Sequence, residues 1–126
     1  MREFPYLPTH PNHPCAIWVR ASLDNFHWTH CYANALNDEY WYRYGRQHKS
    51  VVEVVNILPD PKNIPSLGLT DFAKAMPDQY KTYPAVEAYR KYYANDKASI
   101  ATWKNRPTPN WFKDLTSTLN PSIIME

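Results

Sequence analysis

Glycine is nearly absent, with 2 residues, Gly45 and Gly68, in a chain of 126. Phosphate-cradling loops of the P-loop or dinucleotide type need clustered glycines for close backbone approach, so those nucleotide folds are excluded. Cysteine is equally sparse. Cys15 and Cys31 are too few for a disulfide scaffold and form no Cys-x-x-Cys pair, which predicts reduced, mostly buried thiols. Long apolar runs are missing: nothing approaches the ~18–20 residues that a membrane-spanning helix needs, so no membrane partner is expected. The opening Met1-Arg2-Glu3-Phe4-Pro5 has neither an apolar h-region nor a small-residue cleavage site, which points to a soluble protein of the cytoplasm. A dominant charge is lacking too. The net charge of +2 is too mild to mark a nucleic-acid binder by balance alone, so the placement of charge matters more than its sum.

Proline and aromatic residues fill the space left. There are 12 prolines, and the 19 aromatics nearly equal the 20 Leu, Ile and Val, so rings are expected to share the core with the aliphatics. A chain of this length suits one domain that buries roughly two-thirds of its unfolded surface. Pro5, Pro8, Pro11 and Pro14 hold residues 1–13 as an extended arm. Asn12 is placed to cap a short helix with Pro14 in its first turn and Cys15 to Arg20 following. Ser22 offers the next cap, and no Pro or Gly interrupts from Leu23 to Tyr44 before Gly45, the residue type that ends helices.

Ser50-Val51-Val52-Glu53 reads as a capping box opening a helix through Val54, Val55, Ile57 and Leu58 to Pro59. The run from Pro59 to Leu69 is a long proline-rich loop, ordered by side chains or functional. Thr70 is placed to cap one or two turns through Met76. Pro84 suits the start of a last long helix in which Val86, Tyr89, Tyr93, Ile100 and Trp103 recur at helical spacing before Arg106-Pro107. The C-terminal residues 113–126 read as a tail, docked through Trp111 and Phe112. The expected fold is mostly α: a single-domain, compact bundle of four to five helices with no strand.

On a wheel at ~100° per residue, the helix from Leu23 places Phe26, Ala33, Leu36, Tyr40 and Tyr44 on a core side. Asp24, His27, Asn34 and Asp38 fall on a solvent side. A third sector, Asn25, Trp28, Tyr32, Glu39 and Arg43, mixes large rings with an amide, a carboxylate and a guanidinium. Glu39 and Arg43 alone are an ordinary i,i+4 surface pair, but their company suits a planar, polar, anionic ligand. Arg20 beside Ser22, and Arg43, Arg46, His48 and Lys49 at the far end, form two candidate phosphate corners, since guanidinium forks match phosphate oxygens and rings stack on bases. The candidate ligand set is Trp18, Arg20, Ser22, Asn25, Trp28, Tyr32, Glu39, Arg43 and His48. Trp18, Trp28 and Tyr32 would stack, Arg20 and Arg43 would neutralise phosphate, and Asn25, Glu39 and His48 would read polar edges.

Toward the C-terminus, Lys81, Arg90, Lys91, Lys97, Lys104 and Arg106 outnumber Glu87 and Asp96 and interleave with Tyr89, Tyr92, Tyr93, Trp103 and Trp111. This is a solvated basic face or a nucleic-acid contact. His13, Cys15, His27, His30 and Cys31 match no standard zinc spacing, so neither metal nor cofactor is expected.

Three stretches form a composite pattern: His13-Pro14-Cys15 with Trp18-Val19-Arg20 and Ser22; Glu39-Tyr40 with Arg43-Tyr44-Gly45 and His48; and Ala75-Met76-Pro77 with Ala88-Tyr89-Arg90 and Trp103. Together, across residues 9–112, they resemble a family of small proteins encoded by tailed bacteriophages. That resemblance implies a viral protein acting in the host-cell cytoplasm and names no activity. Longer members carry an extra N-terminal helical segment; its loss would leave an apolar face for self-association to cover, so a homo-oligomer is expected.

A fainter likeness, in Ala101-Thr102-Trp103 through Arg106-Pro107 and Trp111-Phe112, is to the pyrimidine-dimer DNA glycosylases. That family uses an α-amino nucleophile and a glutamate from its first helix. Here Arg2 follows Met1 and a proline-rich arm stands in place of that helix, so neither residue carries over.

The resulting expectation is a non-catalytic phage protein that binds a nucleotide-like phosphorylated small molecule, acting as a sponge for a host immune signal. A DNA glycosylase or lyase using Glu39 as acid or base, and a structural adaptor, are the alternatives.

Overall fold

The computed structural model describes residues 10–53 and 55–117. Five α-helices and no strand occur among them, in agreement with the all-helical expectation. The chain divides into two compact units, residues 1–72 and 73–126.

In the first unit, α1 spans Pro14–Ala21 and α2 spans Leu23–Tyr44. Pro14 opens α1 where its missing N–H costs nothing, but the cap is His13, whose Nδ1 accepts from the Cys15 N–H at 3.0 Å, and not the expected Asn12. Of the expected extended arm, positions 1–9 lie outside the described residues. Positions 10–13 instead close a turn, with the His13 N–H on the His10 carbonyl at 3.1 Å and His10 at φ 51°.

One residue separates the two helices. Ser22 is extended (φ −154°) and its hydroxyl accepts from the Asp24 N–H at 3.3 Å, as an N-cap does. The far end matches the sequence equally well: Gly45 is left-handed at φ 72° and donates to the Trp41 carbonyl at 2.8 Å.

Beyond α2 the expected single helix from Ser50 divides. α3 covers Lys49–Glu53 and a 3-10 turn covers Val55–Ile57, with Val54 outside the described residues. The His48 carbonyl accepts from the Val51 and Val52 amides, so Ser50 lies inside the first turn and does not cap it. A run of β-branched residues with restricted χ1 favours helix weakly, which fits this short, tightened geometry. Residues 58–77 then hold no helix or strand. The helix expected from Thr70 to Met76 does not form, because the Thr70 amide and hydroxyl are both engaged by Asn25 of α2.

The second unit holds α4, Ala85–Asp96, and α5, Asn110–Thr116, each with a proline at its N-cap (Pro84, Pro109). Its core joins Met76, Tyr80 and Ala88, with Tyr89 and Tyr92 packed against them. The Tyr89 hydroxyl donates to the Ala73 carbonyl at 2.5 Å and accepts from the Ala75 N–H at 3.0 Å, fastening the segment before the helix onto it. α4 stops at Asp96, short of the expected Trp103, and a 3-10 turn at Ala98–Ile100 follows. The tail reading is likewise corrected, because α5 forms there. Phe112 is buried and Trp111 half-buried, as docking through them required. Residues 118–126 lie outside the described residues.

Candidate functional site

The N-terminal half of α2 is occupied by the chain itself. Residues 65–72 run across the α1–α2 junction as a strap. The Leu23 N–H donates to the Pro65 carbonyl at 2.9 Å, the Leu67 N–H to the Ser22 hydroxyl at 3.2 Å, and the Gly68 N–H to Asp24 Oδ2 at 2.7 Å. Asn25, with no exposed surface, pairs with Thr70: its Oδ1 accepts from the Thr70 N–H at 3.1 Å, while its Nδ2 donates to Thr70 Oγ1 at 2.9 Å and to the Trp18 carbonyl at 2.8 Å. The Trp18 indole N–H donates to the Asp71 carbonyl at 2.7 Å, and its ring lies 5.4 Å from that of Phe72. A buried amide that meets backbone and hydroxyl partners on an otherwise irregular segment substitutes for missing secondary structure there. The Ser66 hydroxyl, at 2.8 Å, is the main cause holding the Asp24 carboxyl below its usual range, with the Gly68 N–H next; partial desolvation works against them.

Four members of the candidate ligand set are therefore committed within the fold. Ser22, Asn25 and Trp18 anchor the strap. The fourth, Arg20, donates through Nη1 to the Pro11 carbonyl at 2.6 Å and closes the turn before α1. The expected polar-edge reader Asn25 thus reads Thr70.

The remaining rings form an open platform. Trp28 meets Trp18 edge to face at 5.6 Å and Phe72 at 4.7 Å, and one of its faces carries Tyr32, stacked at 4.9 Å and 19°. Tyr32 is 49% exposed and Trp28 36%. At 100° per residue Glu39 and Arg43 fall within about 60° of Trp28, so one stripe of α2 carries Trp28, Tyr32, Glu39 and Arg43. Arg43 lies about 16 Å from Tyr32 along the axis at 1.5 Å per residue, and both side chains lean one turn toward the N-terminus, onto Glu39 and Trp28, so that spacing is kept. Arg43 Nε donates to Glu39 Oε2 at 2.8 Å, holding the guanidinium on this stripe.

His48 does not join them. Its N–H donates to Asn37 Oδ1 at 2.5 Å, and Asn37 stands about 180° round the helix from Trp28. The His48 ring meets Tyr40 edge to face at 5.5 Å, and Arg46 lies over the same Tyr40 ring at 5.9 Å. The two expected phosphate corners thus stand at opposite ends of a 22-residue helix, about 30 Å apart. The wheel's core side also needs correction. Leu36 and Tyr44 are exposed and Asn37 is buried, because α3 meets α2 through a polar contact and not an apolar ridge.

Both thiols are exposed, contrary to the buried thiols expected. The described residues hold no group of three or more His, Cys, Asp or Glu able to hold a metal ion; His27 instead contacts Asp60 at 3.0 Å. No described helix is long and apolar enough to cross a membrane. The strap's anchors Ser66, Gly68, Thr70 and Phe72 carry little signal in sequence. The one pointer to them is an amide, Asn25, one turn from Trp28. No protein-family model matches the chain, and it matches neither a curated protein nor a solved structure.

Proposed function

We propose that this chain is a non-catalytic binding protein that takes a nucleotide-like, phosphorylated small molecule on the stripe of α2 that runs from the exposed Trp28 and Tyr32 to the half-buried Glu39 and Arg43. The observation that carries the reading is the Trp28–Tyr32 stack, whose outer ring is half exposed and shares its stripe with Arg43. A base laid on Tyr32 continues a stack already begun by Trp28, and each such base–ring contact contributes about 1–3 kcal/mol. The phosphate then extends along α2 toward Arg43, whose fork suits its oxygens, while Glu39 orients that fork. With the resemblance to tailed-phage proteins, the proposed role is a sponge in the host-cell cytoplasm that sequesters an immune nucleotide signal.

The test is to incubate the purified protein with nucleotide pools, wash it, denature it and identify what is released, alongside thermal shift against the same pools. Retention of a phosphorylated nucleotide, lost in Tyr32→Ala and in Arg43→Ala, supports the reading. An empty protein with no shift for any nucleotide refutes it.

A second reading, an adaptor or homo-oligomer, is favoured by the exposure of Leu36, Trp41, Tyr42 and Tyr44 along the same helix. Light scattering that gives a multimer, reduced to a monomer by Leu36→Glu or Trp41→Glu, supports self-association. A monomer at all concentrations refutes it.

A further inference from the structure

Charge is divided unevenly along the chain. Residues 10–72 carry five Lys and Arg against six Asp and Glu, whereas residues 73–117 carry eight against four. In that second unit three of the eight cations lie over rings. Arg90 Cζ lies 5.3 Å from the Trp111 centroid, Lys91 Nζ lies 4.8 Å from Tyr83, and Lys97 Nζ lies 5.6 Å from Tyr92. From Trp111 the rings continue through Trp103, at 6.4 Å, to Tyr93, at 6.3 Å, each pair edge to face. Arg90 and Tyr93 are three residues apart on α4 and therefore share a side of it. Both are exposed, and Ala88, on the far side of α4, is buried, as is Ala94, one turn after Arg90.

The carboxylates are largely taken up nearby. Glu87 lies 3.9 Å from Lys91, Asp78 lies 3.1 Å from Lys81, and Asp96 accepts from the Tyr80 hydroxyl at 3.0 Å. Asp96 keeps its charge beside Lys97, since its partner is a neutral hydroxyl, and Asp114, one turn from Trp111 on α5, adds a second negative charge.

We propose that this face of the second unit, Arg90, Tyr93, Lys97, Trp103 and Trp111, is a contact surface for single-stranded nucleic acid. Successive rings interleaved with cations match what an unpaired strand presents, bases with open faces joined by phosphates. A duplex hides those faces, so it gains only the charge term. This proposal uses no residue of the α2 stripe, so either reading can fail without the other.

The experiment is fluorescence anisotropy of labelled oligo-dT with the full chain, run against the same oligomer annealed to oligo-dA, against phosphatidylserine vesicles and against polyglutamate. Oligo-dT is expected to bind tightest, with a log–log salt slope near −2 for about three phosphates neutralised. Tyr93→Leu keeps an apolar side chain against Trp103 but removes the aromatic face, and weakens oligo-dT binding roughly 5- to 100-fold. Arg90→Gln makes the salt slope shallower by about 0.7. Lys62→Gln, in the first unit, alters neither reading. Equal binding of single strand and duplex, a silent Tyr93→Leu with the fold intact by circular dichroism, or binding confined to vesicles or polyglutamate overturns the proposal.

Discussion

Replacing Asn25 by alanine removes three hydrogen bonds at once, those to the Trp18 carbonyl, Thr70 Oγ1 and the Thr70 N–H, from a side chain with no exposed surface. Each is worth roughly 0.5–1.5 kcal/mol net, and a partner left unsatisfied adds to the loss. Because Thr70 is exposed, its groups regain water when released, which limits the penalty. The expected destabilisation of the first unit is therefore about 2–4 kcal/mol. That is a large fraction of an ordinary domain's roughly 5–15 kcal/mol, in a unit where Val51 is the only buried apolar side chain among the described residues. Two measurements check it: urea unfolding followed by tryptophan fluorescence, and amide hydrogen exchange. The variant should lose protection at Thr70 first and at Leu67 and Gly68 with it, since one strap carries all three amides. A change under about 0.5 kcal/mol, with the Thr70 amide still protected, would refute the view that Asn25 holds the strap.

The same strap gives a pH dependence. The folded-state value of Asp24 lies below its ordinary 3.8, so the carboxylate's contribution is fully present above that value and is lost as pH falls through the lowered one. Gly68 amide protection should fall only in acid below about pH 4, and Asp24→Asn should abolish that step; protection independent of pH would contradict it. Gly45→Ala meets no neighbouring atom and should cost about 1 kcal/mol through the left-handed backbone alone, with Gly45→Asn costing less; equal stability of all three would contradict the cap. Both cysteines should react with a thiol reagent in the folded protein, and a reaction needing denaturant would contradict their exposure.

The helix boundaries most legible in sequence are those with a local chemical marker. Ser22 and Gly45 frame α2 because an N-cap hydroxyl and a left-handed glycine act within one turn, and Pro84 marks α4 for the same reason. Boundaries set by distant partners are not legible. Thr70 has the residue type of a helix cap, but Asn25, 45 positions away, engages both its amide and its hydroxyl, so the local preference yields. Asn37 takes the His48 amide in the same manner and places a polar side chain on the wheel's apolar side.

The candidate site is legible in part. Because α2 forms over the expected residues, Trp28 with Tyr32 and Glu39 with Arg43 meet one turn apart, as helical spacing requires. It cannot reveal that Trp18, Ser22 and Asn25 serve the strap, because those partners lie in an irregular segment without periodicity. Arg20 is spent on Pro11, in a turn where the proline pattern suggests extended chain.

Stacking of a phosphorylated nucleotide on Tyr32, with its phosphate reaching Arg43, is tested most directly by titrating nucleotides into isotope-labelled protein and following the indole N–H resonances of Trp18 and Trp28. The Trp28 signal and the Arg43 Nε signal are expected to move together on saturation. The Trp18 signal, fixed on the Asp71 carbonyl, should stay in place. Movement of Trp18 with Trp28 unmoved, or no movement of either at millimolar nucleotide, would contradict nucleotide binding on this stripe.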